Sequence, residues 1–112
     1  MSIKKIEIRQ ARINKIKKNL QELGEIMPGS LSKQYNICGN PTCRCKDRVN
    51  PKKHGPYYNL SYTWNGKGRT KFVRKEDLVH IREKVKNYKT LKRLVKHWVD
   101  LSLEIVELRK RS

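Results

Sequence analysis

Four residues in the middle of the 112-residue chain have the side chains of a metal site. Three cysteines, Cys38, Cys43 and Cys45, are followed by His54 in the spacing Cys-x4-Cys-x-Cys-x8-His. Three thiolates and one imidazole are the ligand set of a closed tetrahedral zinc site, in which the ion stabilises a segment too polar to build its own core. We therefore predict a structural zinc ion bound by these four residues.

Two other interpretations of the cluster stay open, because its spacing differs from those of the commonest zinc fingers and ribbons. One is three buried thiols beside an ordinary loop histidine. The other is a redox role for Cys43 and Cys45, although Cys-x-Cys lacks the Cys-x-x-Cys helix start that activates a thiol. An odd number of cysteines crowded between Cys38 and Cys45 is unlike a secreted disulfide framework, which favours a reducing, cytoplasmic setting.

The charge of the chain predicts a polyanionic partner. Against 10 Asp and Glu the chain has 28 Lys and Arg, a formal net charge of +18. Residues 30–75 hold eleven of the basic residues and a single acidic one, Asp47, which is the pattern of a phosphate-binding surface. The residues predicted to bind nucleic acid are Arg44, Lys46, Arg48, Lys52, Lys53, Asn59, Ser61, Thr63, Lys67, Arg69, Lys71, Arg74 and Lys75.

Residues 57–74 are predicted to form a β-hairpin around the tetrapeptide Asn65-Gly66-Lys67-Gly68. A three-residue loop with a bulge at Gly68 would pair Trp64 with Thr70 and Tyr62 with Phe72. This register predicts two faces, a packed one with Tyr58, Leu60, Tyr62, Trp64 and Phe72, and an exposed one with Asn59, Ser61, Thr63, Arg69 and Lys71. The exposed face has the chemistry to read a DNA major groove, and the alternative is that exposed aromatics such as Tyr57 stack on unpaired bases.

Two helices are predicted to flank this centre. Apolar residues recur at three- and four-residue steps over residues 3–27, until Pro28-Gly29 ends the helix. Residues 76–110 lack proline and glycine, and their apolar stripe shifts near residues 88–91, which indicates a stutter, a bend or a break. We expect the C-terminal half of this helix to pack on the first, with an intermolecular coiled coil as the alternative.

The predicted fold class is α+β, with residues 1–112 as a single domain because a chain of this length supports one modest core. Its parts are the N-terminal helix (3–27), a strand and Cys/His knuckle (31–56), the hairpin (57–74) and the long helix (76–110). They give a small zinc knuckle with a two- to three-stranded antiparallel sheet, and a long C-terminal helix packed on the first.

The sequence contains no motif that predicts catalysis or membrane insertion. Paired carboxylates, a nucleophile elbow and a Walker-type loop are missing, and neither His80 nor His97 stands at a telling spacing from a carboxylate or nucleophile. The first residues alternate charge with isoleucine, and no apolar run is long enough to span a bilayer. We therefore expect a protein that is not an enzyme, does not bind membranes and is located in the cytoplasm, at the nucleoid if it binds DNA.

Three short motifs resemble those of a known family. They are Gly29-Ser30-Leu31, the tract Tyr35-x-x-Cys38-Gly39-x-x-x-Cys43-x-Cys45, and His54-Gly55-Pro56-Tyr57-Tyr58 followed by a basic hairpin. In these motifs the chain is similar to a family of short, basic prokaryotic proteins of unknown function, often carried near mobile elements. The resemblance runs from Gly29 to the last helix. It implies that the three cysteines and His54 belong to one site, and it implies no activity.

These features favour a DNA-binding protein that acts as an accessory factor of a mobile element. An RNA-binding component of a ribonucleoprotein is the first alternative, because A-form helices and single strands attract the same side chains. The second alternative is a helical module that joins copies of the chain, or a partner protein, while its charge is incidental or meets an acidic protein.

Overall fold

The computed structural model describes residues 2–36 and 40–110 of the chain. Its elements are, in order, helix α1 (Ser2–Gln21), strand β1 (Ser30–Asn36), a 3-10 helix (Arg44–Lys46), strand β2 (His54–Trp64), strand β3 (Lys67–Val73), a 3-10 turn (Lys75–Asp77) and helix α2 (Leu78–Lys110). The α+β prediction is confirmed: an N-terminal helix and a long C-terminal helix packed on it accompany a three-stranded antiparallel sheet.

The chain divides into two compact units. Met1–Met27 and Lys86–Ser112 form the helical unit, and Pro28–Val85 form the sheet unit. Helix α2 contributes its first eight residues to the sheet unit and the rest to the helical unit. That residues 1–112 behave as a single domain stays a prediction, to be decided by whether the two units unfold together.

The helical unit has a small apolar core between α1 and α2. The buried residues of this core are Ile13, Ile16, Leu101 and Ile105, and Ile6, Leu20, Leu94 and Trp98 pack against them. The two helices run antiparallel, since Arg9 donates a hydrogen bond to Glu104 at 2.9 Å near one end. Near the other end, the Asn87 side-chain amide donates to the Glu25 carbonyl oxygen, also at 2.9 Å.

Helix α1 ends at Gln21, so the predicted range 3–27 is wrong at its C-terminal end. The last turn tightens, with the Leu23 amide donating to the Leu20 carbonyl oxygen at 3.3 Å, and Gly24 then follows, a residue of low helix propensity. Leu23 and Met27 remain half-buried although they are not helical. The apolar spacing beyond Gln21 therefore reflects residues that are half-buried outside the helix, and not a continuation of the helix.

Helix α2 begins at Leu78 after a 3-10 turn, two residues later than predicted, and continues through residues 88–91 to Lys110. The interpretation of the stripe shift as a break between two helices is wrong, because this segment has neither proline nor glycine to interrupt it. None of the helices in the described part of the chain is long and apolar enough to cross a membrane.

The sheet has the order β1-β2-β3, and a two-residue turn joins β2 to β3. Asn65 (φ 52°) and Gly66 (φ 76°) both occupy the left-handed region, as a type I′ turn requires. Trp64 therefore pairs with Lys67 and Tyr62 with Arg69. The predicted three-residue loop and its pairs Trp64–Thr70 and Tyr62–Phe72 are wrong, because Asn-Gly fills the two central turn positions.

The corrected register moves the side chains of β3 to the opposite face, because the shift is an odd number of residues. Directly paired residues share a face, which defines two faces of the sheet. The mixed face carries Leu31, Lys33, Tyr58, Leu60, Tyr62, Trp64, Lys67, Arg69, Lys71 and Val73. The polar face carries Ser30, Ser32, Gln34, Tyr57, Asn59, Ser61, Thr63, Thr70 and Phe72. The predicted packing of Phe72, and the grouping of Arg69 and Lys71 with Asn59, Ser61 and Thr63, are therefore wrong.

The mixed face packs at one end only. Leu60 is 1% exposed and its neighbour Val73 is also buried, whereas Trp64 beside the turn is 56% exposed. In the same unit, Leu78 and Val85 of α2 are buried. Cys45 is also buried, and it lies in the knuckle, the described residues 40–53 between β1 and β2. The apolar residues of the mixed face are thus divided between a packed end and an exposed, cationic turn end.

Two glycines allow the backbone to approach closely at the two ends of the β1–β2 pair. Gly29 has φ 121°, and a Cβ atom there would lie 2.6 Å from the Ser61 carbonyl oxygen. Gly55 has φ 135°, and its Cβ would lie 2.8 Å from the Gln34 carbonyl oxygen. Only glycine tolerates both the conformation and the contact at these two positions. Strand β2 begins at His54, three residues before the predicted start of the hairpin.

Candidate metal centre

Three of the four predicted ligands converge in the sheet unit. The ligand atoms of Cys43, Cys45 and His54 lie within 4.8 Å of one another, and Cys43 Sγ is 2.9 Å from His54 Nε2. Cys45 is 1% exposed, and the other two side chains are half-buried. These three residues are close enough together to hold a metal ion. Cys38, the fourth predicted ligand, lies outside the described residues.

The turn before the 3-10 helix fixes the two cysteines. The Asn40 side-chain oxygen accepts hydrogen bonds from the Thr42 amide (3.0 Å) and hydroxyl (2.8 Å), and the Cys43 amide donates to the Asn40 carbonyl oxygen. Cys43 is then extended, at φ −72° and ψ 147°, and Cys45 lies inside the single turn that follows. This Asx turn and the 3-10 turn bring the thiols of Cys43 and Cys45, which are separated by one residue, within 4.8 Å of each other.

A closed loop returns the chain to His54. The Asp47 carboxylate accepts a 2.9 Å hydrogen bond from the Val49 amide, and the Lys52 amide donates to the Arg44 carbonyl oxygen at 2.9 Å. His54 is the first residue of β2 and is paired with Asn36, the last residue of β1. The imidazole is thus positioned by the sheet, and the thiols by the knuckle.

The geometry fits a tetrahedral ion after a small adjustment. Zinc bonds of 2.3 Å to sulfur and 2.0–2.1 Å to nitrogen imply a sulfur-to-nitrogen separation of about 3.6 Å at the tetrahedral angle. The observed 2.9 Å between Cys43 and His54 is a hydrogen-bond distance, so an ion would need to widen it by less than 1 Å. Thiolate and imidazole ligands suit a borderline-soft cation such as zinc better than magnesium or calcium.

All thirteen residues predicted to bind nucleic acid lie in the sheet unit, and all are exposed except Asn59, which is half-buried. The structure does not unite them on one face. Lys67, Arg69 and Lys71 lie on the mixed face, where Lys71 Nζ is 6.0 Å from the centroid of the Tyr62 ring. The knuckle carries Arg44, Lys46, Arg48, Lys52 and Lys53, and Arg74 and Lys75 follow β3.

The remaining three, Asn59, Ser61 and Thr63, lie on the polar face. Asn59 donates to the Gln34 side-chain oxygen at 3.1 Å, and the Ser61 and Thr70 hydroxyls are 3.2 Å apart. Ser61 and Thr63 also line a shallow groove of about 440 Å³, whose other walls include Gly29, Ser30, Gly68 and Thr70. Two of the side chains expected to read bases are therefore already hydrogen-bonded to other residues of the sheet, Asn59 to Gln34 and Ser61 to Thr70.

Phe72 is the feature of this surface that the sequence prediction missed. The predicted register puts Phe72 on the packed face, yet it is 65% exposed on the polar face, opposite Asn59. The signal that would have found it is the Asn65-Gly66 dipeptide, because a two-residue type I′ turn at these positions sets the observed register.

Comparison with known proteins places the chain in one family. No curated protein and no solved structure matches it significantly. The sequence profile of a domain of unknown function, DUF6788, matches residues 6–84, which span β1, Cys43, Cys45, His54 and the hairpin. The expected membership of an uncharacterised family is confirmed, and the chain belongs to the DUF6788 family.

Proposed function

We propose that this protein binds DNA through the exposed basic residues of the knuckle and the hairpin, which a zinc ion holds in shape. The observation that carries the proposal is the position of the metal cluster. Cys43, Cys45 and His54 converge within the segment 30–75, where eleven basic residues meet one acidic residue. A metal site set among exposed cations is suited to present them to a phosphate backbone.

The fourth ligand in this proposal is Cys38. Asn36 is paired with His54, and Cys38 follows Asn36 by two residues in the sequence. Cys38 lies outside the described residues, and its place in the ligand set rests on the sequence pattern Cys-x4-Cys-x-Cys-x8-His. Four protein ligands would leave the ion no open position for substrate, so we propose a structural ion and a protein that is not an enzyme.

The knuckle needs such an ion because it has little core of its own. Of the described residues 40–53, Cys45 is the one that is buried, and five of the others carry positive charges. Confining those charges in a short loop is unfavourable without an opposing anion, and thiolates supply negative charge at the centre of the loop. Metal binding would therefore both order the loop and offset its charge.

Duplex DNA binding across a salt series tests this proposal. If about six cations contact phosphates, affinity should fall roughly a thousandfold between about 50 and 200 mM salt. Structured RNA of equal length is the comparison that separates DNA from the RNA-binding alternative. Salt-independent affinity, or no binding to either polymer, would overturn the proposal. From the motif resemblance we further propose that the protein is an accessory factor of a mobile element and acts in a prokaryotic cytoplasm or nucleoid.

A second candidate function, self-association, is favoured by an exposed apolar stripe on α2. Val95, Val99, Leu103 and Val106 recur at four- and three-residue steps and are 43–61% exposed. The four residues fall on one side of α2, the arrangement by which two helices pack along an apolar seam. We propose this stripe as the contact between two copies of the chain.

A further inference from the structure

The polar face of the sheet is neutral although the chain is strongly basic. Among the described strand residues, none of those on this face is charged. Two aromatic rings lie there, with Phe72 65% exposed and Tyr57 37% exposed. Phe72 is paired with Asn59, and Tyr57 is two residues before Asn59 on the same strand. Such diagonal neighbours are about 7–8 Å apart, which is within reach of aromatic side chains, so the two rings are exposed on the same face within reach of one another.

A groove lined by small polar residues continues the same face toward the turn. Ser61 and Thr70 follow the aromatic pair along the sheet, and both line the 440 Å³ groove together with Gly68. Tyr62 and Arg69 also line the groove, but both belong to the mixed face, so the polar face contributes only the small side chains of Ser30, Ser61, Thr63 and Thr70 to it. The face therefore offers rings for stacking at one end and hydroxyls for hydrogen bonding at the other.

Cations border the aromatic end. Lys52 and Lys53 come just before β2, and Arg74 and Lys75 come just after β3. Arg74 and Lys75 follow Phe72 by two and three residues and so lie beside the aromatic pair. Lys52 and Lys53 precede Tyr57 by five and four residues at the same end of the hairpin, and all four cations are exposed. A neutral, aromatic face with a basic border is the arrangement that binds bases on the face and phosphates at its edge.

We propose that the polar face binds the unpaired bases of a single DNA strand, with the rings of Tyr57 and Phe72 stacking on them. This inference rests on the proposed DNA-binding function and specifies its ligand. A duplex suits the face less well, since paired bases are stacked on each other and the face has no cation for the phosphates of a groove. Asn59 and Ser61 are also engaged with Gln34 and Thr70.

The test compares a thymidine oligonucleotide with an abasic strand of the same length, about 15 nucleotides, which matches the upper range of sites on small sheet domains. Both strands carry the same phosphate charge, so a difference in affinity measures the bases alone. Tyr57→Leu and Phe72→Leu remove the rings while keeping apolar side chains. Trp64→Leu is the matched control, because Trp64 is 56% exposed on the mixed face.

Fluorescence polarisation should show tighter binding of the thymidine strand than of the abasic strand. Each of Tyr57→Leu and Phe72→Leu should weaken thymidine binding about 5- to 150-fold, the range measured for loss of one base–aromatic stack. Trp64→Leu should leave the affinity unchanged. Circular dichroism and thermal unfolding of each variant confirm that a loss of binding does not reflect a loss of fold.

The contrary outcomes separate this inference from the proposed function. Equal affinity for both strands, or unchanged binding by both ring variants, overturns base stacking while salt-dependent duplex binding would still support the proposed function. A loss confined to Trp64→Leu moves the stacking surface to the mixed face and also overturns the inference. If Tyr57→Leu and Phe72→Leu weaken binding of oligouridylate but not of the thymidine strand, the face binds RNA and the inference of a DNA ligand is overturned. Absence of binding to every DNA overturns both proposals.

Discussion

Cys43 Sγ lies 2.9 Å from His54 Nε2, although the two residues are eleven positions apart and belong to different parts of the fold. The thiol is positioned by the Asx turn at Asn40, whereas the imidazole is fixed by the pairing of β2 with β1. Contact between them therefore couples the irregular knuckle to the sheet. A metal ion bound to both side chains would strengthen that coupling and so hold the basic residues of the knuckle in place beside the sheet.

Gly29→Ala should be much more destabilising than Gly66→Ala. Both glycines have positive φ, but a Cβ at Gly29 meets the Ser61 carbonyl oxygen at 2.6 Å, whereas nothing lies within 4 Å of a Cβ at Gly66. We expect losses in the free energy of unfolding of at least about 2 kcal/mol at Gly29 and about 1 kcal/mol at Gly66. Urea denaturation measures both. Similar losses would contradict the close approach of Gly29 to β2.

Single cations of the sheet unit should contribute to duplex DNA binding through phosphate contacts. Arg69→Ala and Lys52→Ala should each weaken binding to all sequences alike and reduce the slope of log affinity against log salt by about 1. Lys89→Ala is the matched control, since Lys89 is an exposed cation of the helical unit. A reduced slope for Lys89→Ala, with unchanged slopes for the other two variants, would place the DNA surface on the helices.

Leu103→Glu should shift the protein from a dimer to a monomer. Leu103 is 61% exposed in the α2 stripe, and a carboxylate there would have to be desolvated in a self-contact. Sedimentation velocity over a concentration series measures the change. Val79→Glu is the control, because Val79 is 69% exposed on α2 but lies in the sheet unit. A wild-type protein that is monomeric at every concentration would disprove the contact.

The two units should unfold in one transition if the single-domain prediction is right. Trp64 lies in the sheet unit and Trp98 in the helical unit, so Trp98→Phe and Trp64→Phe each leave one fluorescent reporter. With metal present throughout, urea midpoints from the two variants should coincide with those from circular dichroism. Distinct midpoints would show that the helical and sheet units are separate domains connected by α2.

The elements and the grouping of Cys43, Cys45 and His54 could be predicted from the sequence because their signals are local. Apolar spacing indicates each helix, and the chemistry of Cys43, Cys45 and His54 indicates a metal wherever the fold places them. The predicted end of α1 is too late because Leu23 and Met27, which follow the helix, continue the apolar spacing and are half-buried without being helical. Spacing reports burial, and a helix is one of several ways to bury a side chain.

The hairpin register could not be derived from alternation alone. Asn65-Gly66-Lys67-Gly68 is compatible with two loops, and the choice between them changes the face of every β3 side chain. A bulge at Gly68 would place Phe72 in the core and Arg69 on the same face as Asn59. The observed type I′ turn reverses both assignments, so the division of the surface into a mixed and a polar face is a result of the structure.

The most direct test of the central claim is the duplex DNA affinity of the protein before and after metal removal. We predict about one zinc ion per chain by mass spectrometry, lost in Cys45→Ser and His54→Ala but kept in Val49→Ala, a control in the same loop that is 93% exposed. Chelation should weaken DNA binding at least about tenfold, and stoichiometric zinc should restore it. A protein purified without zinc, or one with equal affinity in both states, would contradict the claim that a metal ion shapes the DNA-binding surface.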